Sequence, residues 1–222
     1  MSVARRGPSP PPQRSDGDAV FLRYWLFWVT LGASVGFLAP ALVQVLFAGS
    51  PVRIPALITA GALEGTVLGW TQANVLRVRV PAVSRARWVG TTAIGAAVAW
   101  FVVLLPAEWA DVWQRWPETG QVLAGLVAGA VLLTAIGIAQ WTELRRHSRA
   151  AAWWIVGSAA AWCAGVAVFV SVATLLRQPG QPAALVLLIG ALAGILLALT
   201  TALVGGAVLL RILGAGGPRQ PV

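Results

Sequence analysis

Glu64 is the one acidic residue deep inside a long apolar run, and it stands among Gly61, Gly65 and Gly69. A carboxylate taken out of water costs several kcal/mol if it stays charged. Two kinds of chemistry are open to it. It can serve as a proton- or cation-responsive group facing a cavity, or as a protonated carboxyl that holds two closely packed helices together. No basic residue lies at matching depth. Gln72 and Gln140 each stand about one turn from the end of an apolar run. Their amides can bond each other, cap a neighbouring helix or hold a polar ligand, and amides in such positions usually bond helices together. These three residues form the candidate intramembrane polar site.

Other chemistries lack their residues. His147 is the only histidine and Cys163 the only cysteine, so neither metal-ligand clusters nor haem or iron–sulfur ligation can be assembled. No cofactor or metal is expected. A serine protease acting within the bilayer needs a base there, and His147 lies in a loop. No His-Glu-x-x-His pair and no Gly-rich phosphate loop occur. The protein is expected not to be an enzyme, with no catalytic residue to assign, and Glu64 alone stays open as an acid or base. His147 is expected to be a solvated loop residue kept neutral by its arginine neighbours.

Apolar runs must position these residues. Hydrophobic residues make up 58% of the chain and charged ones 10%, with a mean hydropathy of +0.79. Soluble domains carry roughly 25% charged residues. Crossing ~30 Å of hydrocarbon takes about 20 apolar residues at 1.5 Å each. Six runs qualify: 24–47, 55–76, 88–106, 121–142, 153–176 and 184–210. In lipid their backbones must be helical, and Pro40 should kink or end the first near its outer end. The fold expected is therefore an all-α integral membrane protein of six transmembrane helices. Residues 1–18, rich in Pro and Arg, read as a disordered cytoplasmic tail. Residues 19–213 form the six-helix domain, and 214–222 a cytoplasmic C-terminal tail. Gly-Pro follows Arg5-Arg6, and no small-residue cleavage site follows a short apolar region. The first run thus reads as a retained signal-anchor.

All 16 basic side chains are arginine. With the N-terminus inside, 13 fall on cytoplasmic segments and three, Arg53, Arg115 and Arg177, on outer ones. The positive-inside rule then puts both termini in the cytoplasm. Absence of Lys beside an excess of Ala, Gly, Val and Pro suggests a GC-rich bacterial genome, and hence the bacterial plasma (inner) membrane. The net charge of +9 lies between apolar runs, which points to a bilayer and away from nucleic acid. Arg77, Arg79, Arg85 and Arg87 in one loop, and Arg145, Arg146 and Arg149 in another, should face the anionic inner leaflet.

A motif recurs. Gly69-x-x-Gln72-x-x-x-Leu76-Arg77 returns as Gly137-x-x-Gln140-x-x-x-Leu144-Arg145, each followed by an arginine-rich loop and a Trp-led helix, Trp88-Val-Gly90 or Trp154-Ile-Val-Gly157. A degenerate third copy has Trp28 at its helix start and ends at Leu210-Arg211, with Gly206 where Gln is expected. This reads as three similar helical hairpins. Gln140-Trp141-Thr-Glu-Leu144-Arg145-Arg146-His147 resembles a group of uncharacterised bacterial multi-pass membrane proteins with repeated G-x-x-Q-W-x-x-L-R hairpins. The Gln72 copy departs from that pattern, with Ala73 in place of Trp and a longer loop. The resemblance covers residues 60–165 and implies a fold type and no reaction.

One outer loop is unusual. Trp109, Trp113 and Trp116 fall at i, i+4 and i+7 between Pro106 and Pro117. They predict a helix over about 107–116 lying in the outer interface, with the three indoles on its buried side. The role expected is a scaffold or accessory subunit that binds lipid, another membrane protein or itself. The alternative is a small-solute or ion transporter with a path between hairpins near Glu64.

Overall fold

The computed structural model describes residues 14–215, and these are helical with no β-strand among them. The helices are α1 (Arg14–Gly36), α2 (Leu38–Leu46), α3 (Arg53–Arg79), α4 (Arg85–Glu108), α5 (Ala110–Trp113), α6 (Glu118–Leu144), α7 (Trp153–Leu176) and α8 (Ala183–Ala215). Five stretches are long and apolar enough to cross a membrane: the α1–α2 unit, α4, α6, α7 and α8. That is the pattern of a multi-pass membrane protein.

The sequence predicts six such stretches, and α3 makes the difference. It has 27 residues, as many as α6. It carries Glu64, Thr66, Thr71, Gln72 and Asn74 where the others are mostly aliphatic. Eleven of its residues are buried, against five in α6. The more polar helix has the more buried face, and Thr71 and Gln72 lie on it, while Thr66 is exposed and returns its hydroxyl to Ala62 O.

Each long helix packs on the next. α1 contacts α3, α3 contacts α4, α4 contacts α6, α6 contacts α7, α7 contacts α8, and α8 returns to α1, while α2 lies on α3. The six long helices thus close a ring. Apolar residues such as Leu123, Leu126, Leu187 and Leu188 point outward. The inside is held by large buried side chains, Trp25, Trp88 and Trp154, and by Leu76, Leu144 and Leu209.

Pro40 has no N–H to donate to Gly36, and the helix breaks at Phe37, ahead of the proline. Pro40 then sits buried in the first turn of α2. The expected end of the first helix is present as this one-residue break. The N-terminal boundary shifts: α1 begins at Arg14, so part of the expected tail is helical. Arg79 Nη2 donates to Gly17 O at 2.5 Å and to Asp18 Oδ1 at 2.9 Å. Its guanidinium also lies 5.2 Å from the Phe21 ring centre, which ties the start of α1 to the end of α3. The rest of that tail, residues 1–13, and residues 216–222 of the C-terminal one lie outside the described residues, and α8 itself continues to Ala215.

The outer element differs from the expectation. α4 runs through Pro106 to Glu108, and one short turn, α5, follows. Trp109 N donates to Leu105 O at 3.0 Å, so the chain is still in α4 where a new helix was to begin. Trp109 and Trp116 are exposed. Trp113 folds back, with Nε1 donating to Leu105 O at 3.4 Å and its ring 5.0 Å from that of Trp116. An ion pair of 2.7 Å between Arg53 and Glu108 joins α3 to α4 at this end.

Candidate polar core and arginine-rich face

Gln72 and Gln140 meet inside the ring. Gln140 Nε2 donates to Gln72 Oε1 at 2.7 Å and to Thr92 Oγ1 at 2.9 Å. Each glutamine also accepts from the tryptophan near the start of the next long helix. Trp88 Nε1 donates to Gln72 Oε1 at 3.2 Å, and Trp154 Nε1 to Gln140 Oε1 at 2.9 Å. Thr92 Oγ1 donates in turn to Trp88 O at 2.7 Å, and the two indoles lie 6.3 Å apart. The network ties α3, α4, α6 and α7 into one unit. Its logic is satisfaction: a buried N–H or C=O left unpaired costs about 1–3 kcal/mol. In this core the donors and acceptors of four helices meet one another.

The third side of the ring solves the same problem without an amide. Trp25 Nε1 donates to Ala202 O of α8 at 3.0 Å. A Cβ on Gly206 would fall 2.7 Å from Trp25 Cδ1. Glycine therefore stands where Gln is expected because the indole fills that space. Trp28, the residue aligned with Trp88 and Trp154 in sequence, is 39% exposed, whereas Trp25 is 1% exposed. The interior tryptophan is one turn earlier.

Beside the glutamines runs a central cavity lined from α1, α3, α6, α7 and α8, with Gln72, Gln140, Ser158 and Thr201 as its polar contributors. Its volume is about 40 Å³, room for about three waters at ~10–15 Å³ each.

Glu64 does not join this site and does not line the cavity. Its Oε2 accepts from Trp100 Nε1 of α4 at 2.8 Å. On its other side lies Gly36 of α1, where an added Cβ would sit 3.0 Å from Glu64 O and 3.3 Å from its Cγ. The carboxyl is packed between two helices and has a neutral partner.

The structure reveals Glu143, which sequence reasoning passed over. Its side chain is 1% exposed at the arginine-rich end of α6. Oε1 accepts from Ser84 N at 2.8 Å and lies 3.2 Å from His147 Nε2. Oε2 lies 3.0 Å from Arg87 Nε and 3.6 Å from Arg146 Nε. One buried carboxylate thus clamps the α3–α4 turn onto the end of α6. His147, expected to be solvated, is 15% exposed and part of this clamp. The signal was present: Glu143 is the one acid in a basic loop and stands one turn from Gln140.

The predicted arginines divide. Arg79 and Arg87 are engaged internally. Arg77 and Arg85 are exposed. Arg145, Arg146 and Arg149 line a bowl of about 530 Å³ with Trp141, Ser148, Ala151 and Ala152. Among the described residues no group of three His, Cys, Asp or Glu side chains is placed to hold a metal ion. No protein family, curated protein or solved structure matches the chain.

Proposed function

We propose that the protein is a six-span bacterial inner-membrane protein with α3 as the sixth span and both termini cytoplasmic. It is built of three similar hairpins and acts as a non-catalytic scaffold or accessory subunit that binds anionic lipid or another membrane protein. The observation that carries this reading is the interior. Both glutamine oxygens and the Gln140 amide nitrogen are taken up by one another, by Thr92 and by two indoles, and the central cavity of about 40 Å³ is far below the ~300–1,000 Å³ of small-molecule sites. The transport alternative needs a path beside Glu64, and the close approach of Gly36 and the Trp100 bond count against one. Support for the hairpin reading comes from the matching bonds of Trp88 to Gln72 and Trp154 to Gln140. Trp109 and Trp116, exposed at the opposite end, suit an outer-leaflet contact. The arginine bias of 13 to three supports the orientation.

Reporter fusions test the orientation. Fusions at both termini are expected to read cytoplasmic and one beside Gln178 external, and a C-terminus that reads external removes the six-span arrangement. The role is tested by flux. Proteoliposomes holding the purified chain should keep an imposed pH or potassium gradient as well as empty vesicles do. Glu64→Gln keeps an acceptor for Trp100, so it should leave the melting temperature within ~2 °C of the parent, as for changes worth under ~0.5 kcal/mol. A gradient that collapses with the parent chain and holds with Glu64→Gln overturns the scaffold reading in favour of transport.

A further inference from the structure

Arg145, Arg146 and Arg149 converge on one concave site, and their surroundings set them apart from the other exposed arginines. The bowl of about 530 Å³ falls within the ~300–1,000 Å³ typical of small-ligand sites. Trp141 forms one wall, and the Arg145 guanidinium lies 4.9 Å from its ring centre. An indole that takes the face of a guanidinium leaves its N–H edge free, and that edge forks onto paired oxygens of a phosphate or carboxylate. Ser148 is buried and braced: Oγ donates to Ile212 O at 3.4 Å and accepts from Ala150 N at 3.2 Å. The turn that carries Arg145 to Arg149 is thereby held to α8. Ala151 and Ala152 keep the remaining wall low beside the start of α7.

Charge decides the class of ligand. Glu143 is the acid closest to the bowl, and Arg87 already lies 3.0 Å from it, with Arg146 farther at 3.6 Å. Arg145 and Arg149 form no ion pair among the described residues. Positive charge is thus left over in a small space, and it suits a dianion better than a singly charged group.

We propose that this bowl binds a phosphate monoester, with Arg145 and Arg149 as its principal anion ligands, Arg146 as a shared one and Trp141 as the platform that orients Arg145. The group can be the headgroup of a lipid such as phosphatidic acid or a soluble phosphorylated molecule. The site deepens the lipid-binding reading above and rests on it only for the side of the membrane. A chain that failed the topology or flux tests and still bound phosphate here would keep the site.

The test uses the full chain purified in detergent, with bound lipid counted by native mass spectrometry. Phosphatidic acid, a monoester, is compared with phosphatidylglycerol, a diester, and with inorganic phosphate as competitor. Phosphatidic acid should bind about tenfold more tightly than phosphatidylglycerol, the difference of about one charge-assisted contact. The paired change Arg145→Ala with Arg149→Ala should abolish that preference. The charge-matched pair Arg77→Ala with Arg85→Ala, on exposed arginines outside the bowl, should leave it intact. Arg145→Lys keeps the charge and loses the fork, and should weaken binding severalfold. If millimolar phosphate displaces the lipid from the parent chain, and itself binds only where Arg145 and Arg149 are intact, the source is a soluble phosphomonoester. If the two arginine pairs reduce binding equally, or the two lipids bind equally and phosphate does not bind, the attraction is diffuse and the site is overturned.

Discussion

Replacing Gln140 with leucine is expected to destabilise the protein by about 2–4 kcal/mol, because three interhelical bonds at ~0.6–1.7 kcal/mol each are lost and their partners stay buried. The bonds are those to Gln72, Thr92 and Trp154. Trp154 is 3% exposed and Thr92 0%, so neither regains water when the amide goes. Gln72→Leu removes two bonds, to Trp88 and Gln140, and leaves Gln140 its contacts with Thr92 and Trp154. Its cost should be smaller, about 1–3 kcal/mol on the same scale. The double change removes four bonds where the singles together remove five, since the Gln72–Gln140 bond is shared. Its cost should therefore fall below the sum of the singles by about 1 kcal/mol, the mark of groups in direct contact. Reversible unfolding in mixed micelles gives all three numbers. A Gln140→Leu protein as stable as the parent, or a double change that adds without coupling, would mean that the network is incidental to the fold.

That coupling bears on function as well as stability. A polar interior that carries a solute must exchange partners between protein and cargo, and so cannot rely on bonds that close among themselves. Here the two glutamine oxygens and the Gln140 amide nitrogen are engaged by side chains from neighbouring helices. The space beside them is about 40 Å³. A core so arranged rigidifies the ring, which is what the proposed scaffold role asks of it.

Span positions could be read from the chain because hydrocarbon thickness sets a length that apolar runs must meet. The expected runs at 88–106, 121–142, 153–176 and 184–210 each fall within α4, α6, α7 and α8. The inward placement of Gln72 and Gln140 was legible too, since an amide in an apolar run must find a partner among other helices. What stayed hidden depends on which helix lies opposite. Trp25 and Trp28 are one turn apart on α1, and period alone does not separate them. Gly206 of α8 does, by leaving room for one indole. The α5 turn was overestimated because the spacing of Trp109, Trp113 and Trp116 describes a helix face, whereas α4 had already taken the chain past Pro106. Glu143 was passed over because a carboxylate beside arginines reads as solvated until Ser84, from a different loop, is seen donating to it.

The ring itself rests on glycines, and the largest loss is expected where two backbones touch. A Cβ added at Gly65 would fall 2.8 Å from Thr92 O and 2.9 Å from Ala93 Cα on α4. One at Gly95 would fall 2.8 Å from Ile136 Cα on α6. These are backbone atoms, so no rotamer change relieves the overlap and the helices must part. Gly65→Val and Gly95→Val are each expected to cost about 3 kcal/mol or more, the upper end for overpacking a core. Separation at Gly95 would also strain the Thr92–Gln140 bond that crosses from α4 to α6, and separation at Gly65 the Trp88–Gln72 bond that crosses from α4 to α3. Gly125 and Gly129 on α6 supply the contrast, since nothing lies within 4 Å of a Cβ there. Alanine at those two positions should be neutral or stabilising by up to ~1 kcal/mol, the helix-propensity gain over glycine. Alanine at Gly65 or Gly95 should destabilise despite the same gain. The opposite signs matter more than the sizes, because propensity, expression and detergent act alike on all four positions. If alanine at Gly65 and at Gly125 shifts stability in the same direction, the close approach of α3 to α4 is not what holds the ring together.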